Sequence, residues 1–227
     1  VDRNGASVVG IIGTARGSAG FFVNADRTGL FGKLLQIGAV STTADAVVRH
    51  GDASFTVTGS SSETLVGKKV AGITDGILVK VSKSLKITSV VRSSVAKGKR
   101  IWNSASNSLL LAGQVIVGNN IQTAVTKFSS TYVPTWTARF TSTGYALVNS
   151  SNQLFFQSMG PIPQLAWNAM TPTPLLLTFD SKGVITAAHS APPGQVELMS
   201  LVDSKELGVL ALIWSAESAS IFTPITR

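Results

Sequence analysis

The 227-residue chain contains no cysteine and two histidines, His50 and His189. The first absence excludes a disulfide framework, a cysteine-ligated zinc or iron–sulfur centre and a thiol nucleophile. The second leaves too few imidazoles for a histidine-rich metal site. Charge is scarce: 13% of residues are Asp, Glu, Lys or Arg, against roughly 25% in an average soluble domain. Ser, Thr, Asn, Gln and Gly must then cover much of the surface, and such a surface is easily desolvated by other subunits. Long apolar runs are also missing. Leu109–Ala112 and Gly208–Trp214 are the most apolar stretches, far short of the roughly 18–20 residues of a membrane-spanning helix, so no membrane insertion is expected.

Proline is absent before Pro134, and the last third carries Pro161, Pro163, Pro172, Pro174, Pro192 and Pro193. These suit stiff loops between strands better than a flexible linker. The chain is read as one domain, residues 1–227, with a subdomain boundary near Pro134 as the alternative.

Short apolar or alternating runs recur between clusters of Gly, Asn, Ser and Pro, and no helical periodicity is sustained over three turns. The fold class expected is all-β, an antiparallel β-sandwich of jelly-roll type, with short helices in loops at 43–50 and 165–170. The strongest strand signal is 77–92. Ile77, Val79, Val81, Leu85, Ile87 and Val91 alternate with polar residues, and Lys83 breaks the apolar face, for which a β-bulge would account. Residues 135–142 place Trp136, Ala138 and Phe140 on one face. Tyr145–Gln157 reads as a hairpin turning at 149–152, and Asp180–Gly183 as a second turn.

Charge distribution is the clearest functional signal. No acid occurs between Asp75 and Asp180, while Lys80, Lys83, Lys86, Arg92, Lys97, Lys99 and Arg100 fall within 80–100. A field of one sign attracts polyanions, and these seven are the candidate contacts for nucleic acid or phosphate. The competing reading is a set of solvated lysines guarding sheet edges.

Reaction motifs fail one by one. Thr186–His189 looks like the histidine segment of trypsin-like proteases, but no Gly-Asp-Ser-Gly-Gly element follows, and Gly51–Ser54 has the wrong spacing. Gly29-Leu30-Phe31-Gly32-Lys33 and Gly67-Lys68-Lys69 lack the spacing of a phosphate loop. Gly10–Gly20 lacks the acid of a dinucleotide fold, Asp26 being too close. Asp180, Glu197, Asp203, Glu206 and Glu217 sit near turn signals and read as solvated, not as paired glycosidase carboxylates. No Asp-x-Asp calcium ligand set occurs. No catalytic residue, cofactor or metal is expected. Trp136 and Trp214 lie in apolar runs and are expected in the core; Trp102 follows Lys99-Arg100 and is either a core residue or a stacking platform for a base. Asn149-Ser150-Ser151 is a glycosylation sequon.

A cysteine-free, net basic β protein of this size, rich in Ser, Thr, Ala, Val and Gly, resembles the jelly-roll coat proteins of small icosahedral RNA viruses. A start at Val1 suits the picorna-like branch, whose coats are cut from a polyprotein. The resemblance implies a non-enzymatic capsid protein located in the virion, assembling with like or sister subunits around a nucleic-acid genome. One feature departs from it: residues 1–32 hold only Arg3, Arg16 and Arg27 against Asp2 and Asp26, so there is no strongly basic arm. The alternative is a phage tail-fibre or spike-type protein that binds glycans.

Overall fold

The computed structural model describes residues 5–191, 197–214 and 218–223. Val1, Asp2, Arg3, Pro192, Pro193 and Glu217 lie outside them. All regular structure among the described residues is β, as the alternating patterns predict. The short helices do not form: 46–49 is a strand, and 165–170 is irregular. The chain divides into two compact units, Val1–Asn103 and Ser104–Arg227. Pro134, near which the alternative boundary is expected, begins a strand.

The first unit contains a three-stranded sheet of β1 (Ala6–Thr14), β2 (Gly17–Ala25) and β3 (Leu35–Ile37). It also contains a four-stranded sheet of β4 (Ala46–Arg49), β5 (Phe55–Ser61), β6 (Asp75–Val81) and β7 (Ile87–Ser93). One hydrophobic cluster joins them: Val9, Phe22, Leu35 and Ile37 from the first sheet pack with Phe55, Val57, Ile77, Val79 and Val81 from the second. The rings of Phe22 and Phe55 lie 4.8 Å apart. Burying each such side chain contributes about 1.5–3 kcal/mol. The segment before β4 lies close against β5 where glycine removes a side chain. A Cβ on Gly59 would stand 2.2 Å from the carbonyl oxygen of Thr43.

The expected single strand over 77–92 is a hairpin. β6 ends at Val81, and Ser82–Lys86 turns the chain with Leu85 at φ 57°. Leu85 and Lys86 donate backbone hydrogen bonds to Ser82 O and Ser82 Oγ, and Ser82 N donates to Lys86 O. Lys83 breaks the alternation because it sits in this turn, although the pairing does slip between Lys80 and Val81.

β8 (Lys99–Ala105) contains the division between the units. With β9 (Leu110–Val117), β10 (Asn120–Phe128), β11 (Pro134–Val148), β12 (Gln153–Ser158), β13 (Thr173–Phe179) and β14 (Ile185–Ser190) it makes a seven-stranded sheet in chain order. β11 serves both halves: residues up to Thr141 pair with β10, and Ser142 and Ala146–Val148 pair with β12, with Gly144 at φ 112° in the irregular stretch between Ser142 and Ala146. The turns at 149–152 and 180–183 are formed as expected. Asp180 Oδ1 accepts from the amides of Lys182 and Val184, and Gly183 takes φ 84°.

A last three-stranded sheet comprises β15 (Glu197–Ser204), β16 (Gly208–Trp214) and β17 (Ala219–Phe222). Ala211 and Ile213 join the core of the second unit, together with Leu154, Phe156, Leu176 and Phe140. Trp214, expected inside, lies on the opposite face and is 46% exposed.

Every sheet pairs strands that are consecutive in sequence. A jelly roll needs Greek-key neighbours that are distant in the chain, and none of the described sheets has them. The architecture is a set of antiparallel meanders.

Candidate functional site

A cleft of about 360 Å³ opens in the first unit, lined by Ser7, Asn24, Asp26, Phe31, Arg49 and Phe55 among others. Its wall is the end of the β1–β2 ladder. Gly5 brings the backbone there against β2: it takes φ 130°, and a Cβ on it would stand 2.1 Å from Ala25 O. Ser7 Oγ donates to Asn24 Oδ1 at 2.8 Å, so the Asn24 amide group, Nδ2, is left with no partner among the described residues.

The rim is the loop that follows β2. Asp26 Oδ1 accepts from the amide of Thr28 at 2.8 Å, the hydroxyl of Thr28 at 2.7 Å and the amide of Leu30 at 3.0 Å. Gly29, at φ 83°, donates to Asp26 O, and Gly32 N donates to Asn24 O at 2.8 Å. This is the chemistry by which Asp and Gly close a turn. It also fixes the loop that carries Phe31, whose side chain is 63% exposed. The Thr28 hydroxyl, then the Leu30 and Thr28 amides, hold the Asp26 carboxyl below the ordinary carboxylate range. It is therefore ionised at neutral pH and acts only as an acceptor. Arg49, at the end of β4, borders the cleft with its guanidinium 6.0 Å from the Phe55 ring centre.

The cleft thus combines an exposed aromatic face, an ionised carboxylate, an amide donor and a cation. Asp26 is the only carboxylate among its described lining residues. Sequence reasoning met Asp26 and Gly29–Lys33 only as failed nucleotide motifs. The available signal was two large apolar residues, Leu30 and Phe31, placed in a turn between glycines.

The basic segment separates into two kinds of residue. Arg92 is internal: Nη1 reaches Asp75 Oδ2 at 3.4 Å and Ser61 O at 3.2 Å, Nε donates to Lys68 O at 3.1 Å, and Nη2 donates to Glu63 O. Arg100 is 3% exposed, its guanidinium 4.0 Å above the Trp102 ring. Neither presents its charge to a polyanion. Trp102 is wholly buried and is no stacking platform. Lys80, Lys83, Lys86, Lys97 and Lys99 are exposed. Lys80, Lys83 and Lys86 gather at the 82–86 turn, whereas Lys97 and Lys99 follow the far end of β7. Seven residues of strand separate the groups by about 20 Å, so the segment is not one patch.

Two further expectations change. Asn149 is 5% exposed, and its Nδ2 donates to Gln153 Oε1 and Asp203 Oδ1, so the sequon is closed in the folded protein. Asp203, read as a solvated turn acid, also accepts from Ser150 N and Ser151 Oγ. His189 lies on β14 opposite Leu176. Among the described residues no group of three or more His, Cys, Asp or Glu is arranged to hold a metal.

No family model matches the chain, and no curated protein matches it. Among solved structures it resembles the GH43 endo-arabinanase from Bacillus licheniformis, with a TM-score of 0.44 and 8% identity over 98% of this chain and 90% of that one. This match is to a glycoside hydrolase and not to a coat protein, and the coat-protein and non-enzyme readings are withdrawn. A likeness this distant assigns neither family nor activity to the chain.

Proposed function

We propose that the chain is a small-molecule-binding β protein and that the cleft bordered by β1, β2 and the 26–34 loop is its site. The observation that carries this reading is the exposed Phe31 ring, held on a hydrogen-bonded loop at the edge of a cleft that also contains Asp26 and Asn24. Small-ligand sites are concave, about 300–1,000 Å³, and pair apolar surface with a few fixed polar groups. The cleft meets each condition. A large side chain exposed on a rigid loop loses little conformational entropy when it is covered.

The test is a ligand-observed NMR screen of a polar fragment library against the wild type and Phe31→Ala. Hits that lose their saturation-transfer signal in the variant support the site. A library with no Phe31-dependent hit overturns it.

A further inference from the structure

From the polar pattern of this cleft we infer that its ligand is a neutral saccharide, presenting one sugar face to Phe31 and two neighbouring hydroxyls to Asn24 and Asp26. The inference rests on the binding site proposed above and names its ligand class.

The two polar groups are complementary in role. Asp26 has one oxygen saturated by three internal donors, while Oδ2 has no partner among the described residues. As an ionised carboxylate it only accepts. Asn24 has its oxygen occupied by the Ser7 hydroxyl, which leaves Nδ2, and that group only donates. Fixing one end of each side chain internally removes the ambiguity these groups carry in solution. A ligand that satisfies both must offer a donor and an acceptor close together. Neighbouring hydroxyls of a sugar do so, since each O–H both donates and accepts.

The third element is Phe31. A sugar ring has a face of C–H bonds beside its hydroxyl edge, and an exposed aromatic ring covers that face. An organic cation would also be drawn to Phe31 and Asp26, but its ammonium head has nothing to accept the Asn24 amide. An anion would face Asp26. A neutral polyol with an apolar face leaves none of these groups opposed.

The experiment titrates mannotriose, maltotriose and xylotriose, and separately choline, into ¹⁵N-labelled protein. At least one trisaccharide is expected to shift the amides of 24–32. Phe31→Ala and Asp26→Asn should weaken that binding at least 10-fold, and Phe31→Tyr should restore it. Asp26→Asn keeps an oxygen to accept the Thr28 and Leu30 amides, and an unchanged 24–32 spectrum confirms that the loop is intact. Binding unchanged in Phe31→Ala overturns the inference. Shifts with choline or with the fragment hits but with no trisaccharide overturn the saccharide while leaving the binding site standing. No Phe31-dependent shift with any probe removes both.

Discussion

The guanidinium of Arg92 lies 3.4 Å from the carboxylate of Asp75, and the two side chains are 8% and 0% exposed. Burial favours the neutral acid, but amide hydrogen bonds from Ala71 and Gly72, the Ser94 hydroxyl and the Arg92 charge together hold Asp75 below its ordinary value. The pair ties β6 to β7; Nη1 also donates to Ser61 O, and Nη2 and Nε donate to the carbonyls of Glu63 and Lys68. Removing one partner strands the other. Asp75→Ala is expected to lower stability by about 3–5 kcal/mol, read by urea denaturation. Arg92→Lys, which keeps the charge but not the fork, should cost less. Equal stability of Asp75→Ala and wild type would contradict this account.

Glu63 binds the 38–42 loop. Its carboxylate accepts from the amides of Ala39, Val40 and Ser41 and from the Thr42 hydroxyl. Desolvation opposes ionisation, but these donors outweigh it and bring the pKa to about 2. A depressed carboxylate stabilises the fold fully above the unfolded value near 4.5 and loses that contribution as pH falls towards 2. Melting temperature measured from pH 6 to pH 2 should therefore fall faster for the wild type than for Glu63→Gln, and the gap between them should narrow with acid. A constant gap would show that the charge is not what matters.

His50 also loses its contribution in acid, but because the fold favours its neutral form and not a charged one. Its Nε2 lies 2.7 Å from Thr56 Oγ1. Burial lowers its pKa, Asp52 partly offsets that, and the Lys80 charge adds to it. The unfolded chain then takes up this proton more readily, so the histidine's contribution is full above about pH 6.5 and declines below it. His50→Gln should flatten the stability profile between pH 7 and pH 5, measured by chemical denaturation at fixed ionic strength. A wild-type profile that stays as steep without His50 would assign the slope to another group.

Arg100 and its neighbouring lysines separate in the same assay. Arg100→Ala removes the cation stacked on Trp102 and opens a void in a packed region, which costs about 2–3 kcal/mol. Lys97→Ala and Lys99→Ala should stay within about 0.5 kcal/mol of wild type. Comparable losses at all three would mean that Arg100 is not internal.

Gly183 tests the second unit. It takes φ 84°, and a Cβ there would lie 2.6 Å from the Trp136 ring, which itself stands 5.2 Å from Phe179. Gly183→Ala should cost about 1–3 kcal/mol and change Trp136 fluorescence, whereas Gly118→Ala, with open space around it, should leave the fluorescence unchanged.

Local patterns in the sequence were informative where the decisive atoms were close in the chain. Asp180 and Gly183 announce their turn, and the alternation of Trp136, Ala138 and Phe140 announces an inward face. The 82–86 turn escaped because it uses Leu85 in the left-handed region, where glycine or asparagine is the usual signal; Lys83 was its only trace. Arg92 looked like a surface cation because Asp75, which holds it inside, is 17 residues away. The cleft escaped for the same reason, since Phe31 and Arg49 come to border one cleft only after β1 and β4 have packed. Alternation identifies a strand but not its neighbours, and for that reason a jelly roll and a meander look alike in sequence.

Within each described sheet every strand pairs with its neighbour in sequence, and this has a consequence for synthesis. A ribosome delivers about 5–20 residues per second, and among the described residues no sheet must wait for a strand from the far end of the chain. Each hairpin can close as soon as its second strand emerges, with a short loop to order. Each new strand then waits only seconds for its partner, which limits the interval in which a growing chain can pair with another.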